Sequence, residues 1–175
     1  VIREMNKLGM VIDLSHCNEK TCLDAVEISE RPVTITHGNP AEFVGFDIEL
    51  KRRNRSTDVI KQIVDAGGMI GLSFYPKIMK DGSDCTLESF TEMVAWSADK
   101  FGVDALGLGT DYYTGWPKEK VMWFRTGRWS RESAIPLKSL SPWPKWFQNS
   151  SDFPNVLDGL ADRGFSPDEV AKIAG

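Results

Sequence analysis

Four short apolar runs, each preceded by a stretch of helical periodicity, constrain the fold of this chain more than any other feature. The runs are Met10–Leu14, Val33–Thr36, Met69–Phe74 and Ala105–Gly109, and their lengths and apolar content suit buried strands. A helix is expected over residues 1–9, with Ile2, Met5 and Leu8 on one face and Gly9 as its stop. Others are expected over about Glu19–Ser29 behind an Asn18 cap, from Ser56 or Thr57 to Gly67-Gly68, and over Leu87–Phe101. Strands separated by helices pair in parallel through right-handed crossovers, so the chain is an α/β protein built as a doubly wound sheet or a barrel. Two helices close it, Phe153–Arg163 and Ser166–Ala174. The second opens Ser166-Pro167-Asp168-Glu169, with a cap, a proline in the first turn and acids at the positive helix end.

At 175 residues the chain is one domain's worth, and its 41% hydrophobic and 26% charged content is that of an ordinary globular protein. A net charge of −4 disfavours nucleic acid as a partner, since phosphate neutralisation needs clustered cations. The one basic cluster, Lys51-Arg52-Arg53-Asn54-Arg55, is too short to reverse that and reads by default as a solvated loop. Cys17, Cys22 and Cys85 form no CxxC pair, and their odd number argues for free thiols. No apolar run is long enough to span a membrane. The sequence opens inside an amphipathic helix without a leader or an initiator Met, and reads as a piece of a longer protein whose targeting region lies elsewhere.

His16 and His37 are the only two histidines, and each closes an apolar run, VIDLSH and PVTITH, 21 residues apart. That spacing fits one strand–helix–strand unit, which would bring both rings to the same end of neighbouring parallel strands. Barrels keep their chemistry at that end, and imidazole is the commonest zinc ligand. With period two, Gly107, Gly109 and Asp111 share a face, which would put Asp111 at the rim with free space beside it. A carboxylate there could move a proton or orient a metal-bound water. Alternation places His16 with Ile12 and Leu14, and His37 with Val33 and Ile35. Asp13 falls on the opposite face and is not counted as a ligand. Arg53, if it faces the same rim, could grip a substrate carboxylate bidentately. Between residues 112 and 150 periodicity is lost and five of the six tryptophans appear: Trp116, Trp123, Trp129, Trp143 and Trp146. So aromatic an insertion is expected to be an ordered lid at the barrel mouth or an external oligomerisation loop.

The ordered series GMVIDLSH, PVTITHGNP, RRN, GLSFYP, LGLGTDYYTG and FPNVLDGLADRGFSPDEVAKIAG resembles the membrane (renal) dipeptidase family, peptidase family M19. The resemblance implies the carboxyl-terminal half of an amidohydrolase-like (β/α)8 TIM barrel, about four βα units. It implies that His16 and His37 are zinc ligands in a binuclear site, that Arg53 binds the substrate's free carboxylate, and that Asp111 is the acid near the scissile bond. The family's His-x-Asp pair, bridging glutamate and a further substrate-binding histidine belong to an amino-terminal half that this sequence does not contain. The 16 residues from His37 to Arg53 are more than the renal form leads one to expect, and the Trp-rich segment, also longer than in the renal form, more resembles a bacterial branch.

The expected function is therefore zinc-dependent hydrolysis of dipeptides by the intact parent enzyme, with the 175 residues inactive alone. Two metals would polarise the scissile carbonyl. Two imidazoles are fewer than the three protein ligands usual for catalytic zinc. One alternative is a metal-dependent amidohydrolase acting on a modified peptide or secondary metabolite. Another is a barrel-derived binding module without turnover. A homodimer is left open, as is the compartment, for which a bacterial parent suggests the periplasm or another extracytoplasmic space.

Overall fold

The computed structural model describes residues 1–45, 53–114, 117, 119–120, 123 and 141–175. Among these, a four-stranded parallel sheet runs in the order β1 (Ile12–Asp13), β2 (Val33–Gly38), β3 (Met69–Leu72), β4 (Leu106–Leu108). Helix α1 (Ile2–Lys7) precedes β1. Helix α2 (Glu19–Ile28) joins β1 to β2, while α3 (Ala41–Val44) and α4 (Thr57–Asp65) lie between β2 and β3. Helix α5 (Leu87–Phe101) joins β3 to β4, and α6 (Phe153–Asp162) and α7 (Pro167–Ala174) follow. Sequential strand order with a helix in every crossover is the arrangement of a barrel wall.

One face of the sheet is dry. Ile12, Val33, Ile35, Ile70, Leu72 and Leu106 are buried there against Cys22, Ala25, Ile60, Ile63, Phe90, Val94 and Ile173 from the helices. Each fully buried aliphatic or Phe side chain stabilises the fold by about 1.5–3 kcal/mol. The alternate positions, Asp13, Thr34, Thr36, Met69, Gly71 and Gly107, occupy the other face. On that side Asp13, Thr36 and Met69 are exposed.

The expected helices form with small adjustments at their ends. Asn18 caps α2 by accepting from the Thr21 N–H at 2.9 Å. Thr86 caps α5, and Ser166 with Glu169 makes a reciprocal capping box on α7. Ser56 stands at the N-cap position of α4 but makes no side-chain cap. The Thr57 N–H donates instead to the Glu42 carboxylate at 2.9 Å, so α3 caps α4. Leu8 is 68% exposed and leaves the face shared by Ile2 and Met5, because α1 ends at Lys7 and Leu8 caps it.

The strands differ more. β1 covers only Ile12–Asp13 because it is an edge strand, paired on one side with β2 through Ile12↔Val33 and Asp13↔Thr34. β4 begins one residue later than expected, since Ala105 closes a 3-10 turn. β2 runs two residues further, to Gly38, with a register shift between Ile35 and Gly38. That irregularity is what shapes the site.

Candidate functional site

Strict alternation would turn His16 and His37 toward the helices, alongside Ile12 and Ile35. The backbone breaks the alternation before each ring. β1 stops at Asp13, and the next residues turn, with the Cys17 N–H donating to the Leu14 carbonyl at 3.0 Å. In β2 the register shift falls at Thr36-His37, and bulges of this kind re-aim side chains next to active sites. The shifted segment settles against two glycines. A Cβ on Gly71 or Gly109 would overlap the Thr36 carbonyl, and one on Gly109 would stand 3.0 Å from the His37 Cα. The space left by these glycines is filled by β2.

The two imidazoles meet at this end of the sheet. Their Nε2 atoms are 3.1 Å apart, with ring centroids 5.1 Å apart and the rings tilted by 63°. Two Zn–N bonds of about 2.0–2.1 Å at a tetrahedral angle put ligand nitrogens about 3.3 Å apart, so the pair has the separation of ligands on one ion. The His16 imidazole is held below its ordinary pKa by burial first, then by the positive fields of Arg53 and His37, with Asp111 and Asp13 opposing. That favours the neutral, ligating form. Among the described residues no group of three or more His, Cys, Asp or Glu is gathered for a metal. The histidine pair fits a metal ion as part of a ligand set.

Asp111 lies beside them, its Oδ1 3.9 Å from His37 Nε2. β4 has ended by then, and Asp111 takes a left-handed backbone at φ 57°, a conformation that Asp tolerates better than most side chains. Arg53 reaches the same place from the loop before α4, with Nη2 3.4 Å from Asp111 Oδ2 and its guanidinium carbon 5.8 Å from the centre of the Tyr75 ring. All four residues singled out by sequence therefore lie at one end of the sheet. Lys51 and Arg52, also in the basic cluster, lie outside the described residues.

Asp13 was set aside by face, yet it belongs to this network. Its Oδ1 accepts from the Ser15 hydroxyl at 2.5 Å and from the Ser15 and Thr36 N–H groups at 3.0 and 3.1 Å. Its Oδ2 accepts from the Thr36 hydroxyl at 2.7 Å. Burial raises the Asp13 pKa, and these hydrogen bonds together outweigh it, leaving the carboxyl below its ordinary value. Thr36 Oγ1 is also 3.1 Å from His37 Nδ1, and the His37 N–H donates to Ser15 Oγ at 3.1 Å.

Arg55 was missed altogether. Its place in a charge run pointed to solvent, but it is 1% exposed. Its guanidinium donates to the carbonyls of Leu14, Ser15 and Cys17, which flank His16, and to that of Asn54. Asn54 and Asn39, both buried, complete the knot. Asn39 exchanges hydrogen bonds with the Ser73 backbone, its N–H donates to Asn54 Oδ1, and both amides donate to the Ile78 carbonyl. The knot ties the His16 turn, the end of β2, the Arg53 loop and the end of β3 together. A signal was present in the two asparagines bracketing the loop, but none marked Arg55.

The end of the Trp-rich segment is anchored. Phe147 is fully buried against Phe74, Tyr112 and Phe153, and the Trp146 indole N–H donates to the Cys85 carbonyl at 2.8 Å. Trp143 packs edge-on against Tyr112 at 5.1 Å and Tyr75 at 6.1 Å, continuing an aromatic wall from Arg53. Trp116 and Trp129, and with them the body of the expected lid, lie outside the described residues.

Paired imidazoles, a carboxylate and an arginine gathered at the strand ends of a parallel barrel wall occupy the end where barrel enzymes keep their chemistry. The family model for membrane dipeptidase (peptidase family M19) matches residues 1–121, and the chain belongs to that family. It is 30% identical, over its whole length, to the dipeptidase tcpJ of Claviceps purpurea, of which it covers 34%. It is 27% identical to an uncharacterized dipeptidase of Schizosaccharomyces pombe, of which it covers 36%. The chain thus spans about a third of the length of these curated relatives. An amidohydrolase from Pseudomonas aeruginosa superposes with a TM-score of 0.86 at 28% identity, over 99% of this chain and 52% of that one. The fold is therefore about half of an amidohydrolase-type barrel.

Proposed function

We propose that the protein carrying this chain is a zinc-dependent dipeptidase and that these residues form the carboxyl-terminal part of its active site. The observation that carries the reading is the 3.1 Å approach of the two Nε2 atoms beside Asp111 and Arg53. Membership of the M19 family supports peptide hydrolysis in general, and the separation of the imidazoles supports a shared metal ion. His16 and His37 would hold that ion, which when bound would polarise the scissile carbonyl.

The chain's other residues divide the remaining work. Arg53 binds the free carboxylate of a short peptide. Its present contact with Asp111, at 3.4 Å, is long enough for a closer bidentate partner to displace. Asp111, once released, holds or delivers a proton at the leaving amine. Tyr75, Trp143 and Tyr112 wall one side. Alone, the described residues supply too few ligands for turnover.

The test is hydrolysis of unmodified dipeptides by the full-length protein before and after chelation. The proposal expects turnover that disappears with the metal, returns with zinc, and falls sharply for peptides extended at the carboxyl end. Turnover indifferent to chelation would overturn the metal. Cleavage of amides lacking a free carboxylate as readily as dipeptides would overturn the substrate class.

A further inference from the structure

We propose that Asp13, acting through the Thr36 hydroxyl, fixes the ring proton of His37 on Nδ1 and so keeps Nε2 unprotonated and aimed at the space shared with His16. The function given to this device rests on the reading of His37 as a metal ligand.

The argument is a count of protons. A threonine hydroxyl has one proton to give and lone pairs to receive. Thr36 Oγ1 has three neighbours: Asp13 Oδ2 at 2.7 Å, Ser15 Oγ at 3.1 Å and His37 Nδ1 at 3.1 Å. The carboxylate is the closest and the only one carrying charge, and charge-assisted bonds are the stronger ones. The Thr36 proton therefore goes to Asp13. Ser15 cannot take its place as donor to Thr36, because its own proton goes to Asp13 Oδ1 at 2.5 Å and its oxygen receives the His37 N–H. With its proton committed, Thr36 Oγ1 can only accept at His37, so Nδ1 carries the hydrogen. A neutral imidazole holds one ring proton, which leaves Nε2 as a bare lone pair. The opposite tautomer would place a proton between the two histidines, where an ion has to sit.

The arrangement is a carboxylate–hydroxyl–histidine relay, one atom longer than the usual carboxylate–histidine support of a metal ligand. Its first member stands on β1 and its last on β2, so the paired strands set the relay by register. Asp13 and Thr36 touch neither the space between the rings nor Arg53 in any contact described, and their role is positioning.

The experiment is long-range proton–nitrogen NMR of the His37 ring in the metal-stripped, full-length protein, with zinc titrations of the same samples. Wild type should show the Nδ1–H tautomer. Thr36→Val, which removes the hydroxyl at nearly constant shape, should shift the ring toward Nε2–H, and Thr36→Ser should restore Nδ1–H. Asp13→Asn should act in the same direction as Thr36→Val, because an amide can donate to Thr36 and free its proton for His37. Zinc affinity should fall about 10–100-fold in Thr36→Val and Asp13→Asn, the usual effect of losing a metal ligand's hydrogen-bonded support, and recover in Thr36→Ser. An unchanged tautomer across the series, or Thr36→Ser behaving as Thr36→Val, overturns the proposal. If the tautomer follows the series but wild type binds no zinc, the relay stands and the metal reading fails.

Discussion

Arg53 and Asp111, 58 residues apart in sequence, meet at 3.4 Å beside the histidine pair. One arrives from the loop before α4 and the other from just past β4, so their contact depends on the whole sheet being in register. The pair links the group proposed to grip the substrate's end to the group proposed to serve its scissile bond. In the full-length protein the proposed roles predict that Arg53→Ala chiefly raises KM for dipeptides and that Asp111→Asn chiefly lowers kcat without loss of metal content. Asn also tolerates the left-handed backbone that residue 111 requires, so the second variant separates chemistry from strain. Steady-state kinetics with metal analysis checks both, and unchanged kinetics would remove the two residues from the site.

Arg55→Met should destabilise the protein by about 3 kcal/mol or more, since several buried carbonyls lose their donor at once. Arg55→Lys should recover little of this, because an ammonium cannot reproduce the planar fork that spans Asn54 and the His16 turn. Denaturant unfolding measures the effect. A loss below about 0.5 kcal/mol, the range of ordinary surface substitutions, would show that the knot does not hold the loops.

Gly109→Ala should disturb the site without removing a polar group. Its Cβ would press on the Thr36 carbonyl and the His37 backbone, and overpacking of this kind costs about 1–3 kcal/mol. Weaker metal binding together with lowered stability is the expected result. Gly102, with open space around its Cα, offers a contrast: alanine there meets only backbone strain at φ 80° and should leave metal binding alone.

Phe147→Ala should cost about 3–5 kcal/mol, the usual range for a fully buried aromatic. Phe147 ties the stretch after the Trp-rich segment to Phe74 and Phe153, so the same variant should make the segment more accessible to protease. Thermal unfolding and limited proteolysis check the two effects separately.

The barrel wall could be read from the sequence because its signals are local. Caps such as Asn18 and Ser166, and apolar runs such as Met69–Phe74, of which Met69–Leu72 forms β3, act within a few residues and survive into the structure. The four site residues were found from strand ends and resemblance, yet the face argument behind them failed for the histidines. A bulge is a property of strand pairing, not of one strand, so alternation along β2 alone cannot reveal the turn at Thr36-His37. Alternation along one strand likewise could not reveal the hydrogen bonds by which Asp13 reaches Thr36 on the neighbouring strand. Arg55 escaped for a related reason. Its burial depends on carbonyls of Leu14, Ser15 and Cys17 about 40 residues upstream, and nothing in the run RRNRS marks it for burial.

The most direct test of the central claim, that His16 and His37 hold one ion between them, is zinc content of the full-length protein after dialysis. Wild type is compared with His16→Ala, His37→Ala and the double variant. If the 3.1 Å pair is a shared site, each single variant loses the same equivalent of zinc and the double loses no more than either. Full zinc occupancy in either single variant, or a larger loss in the double, would contradict it.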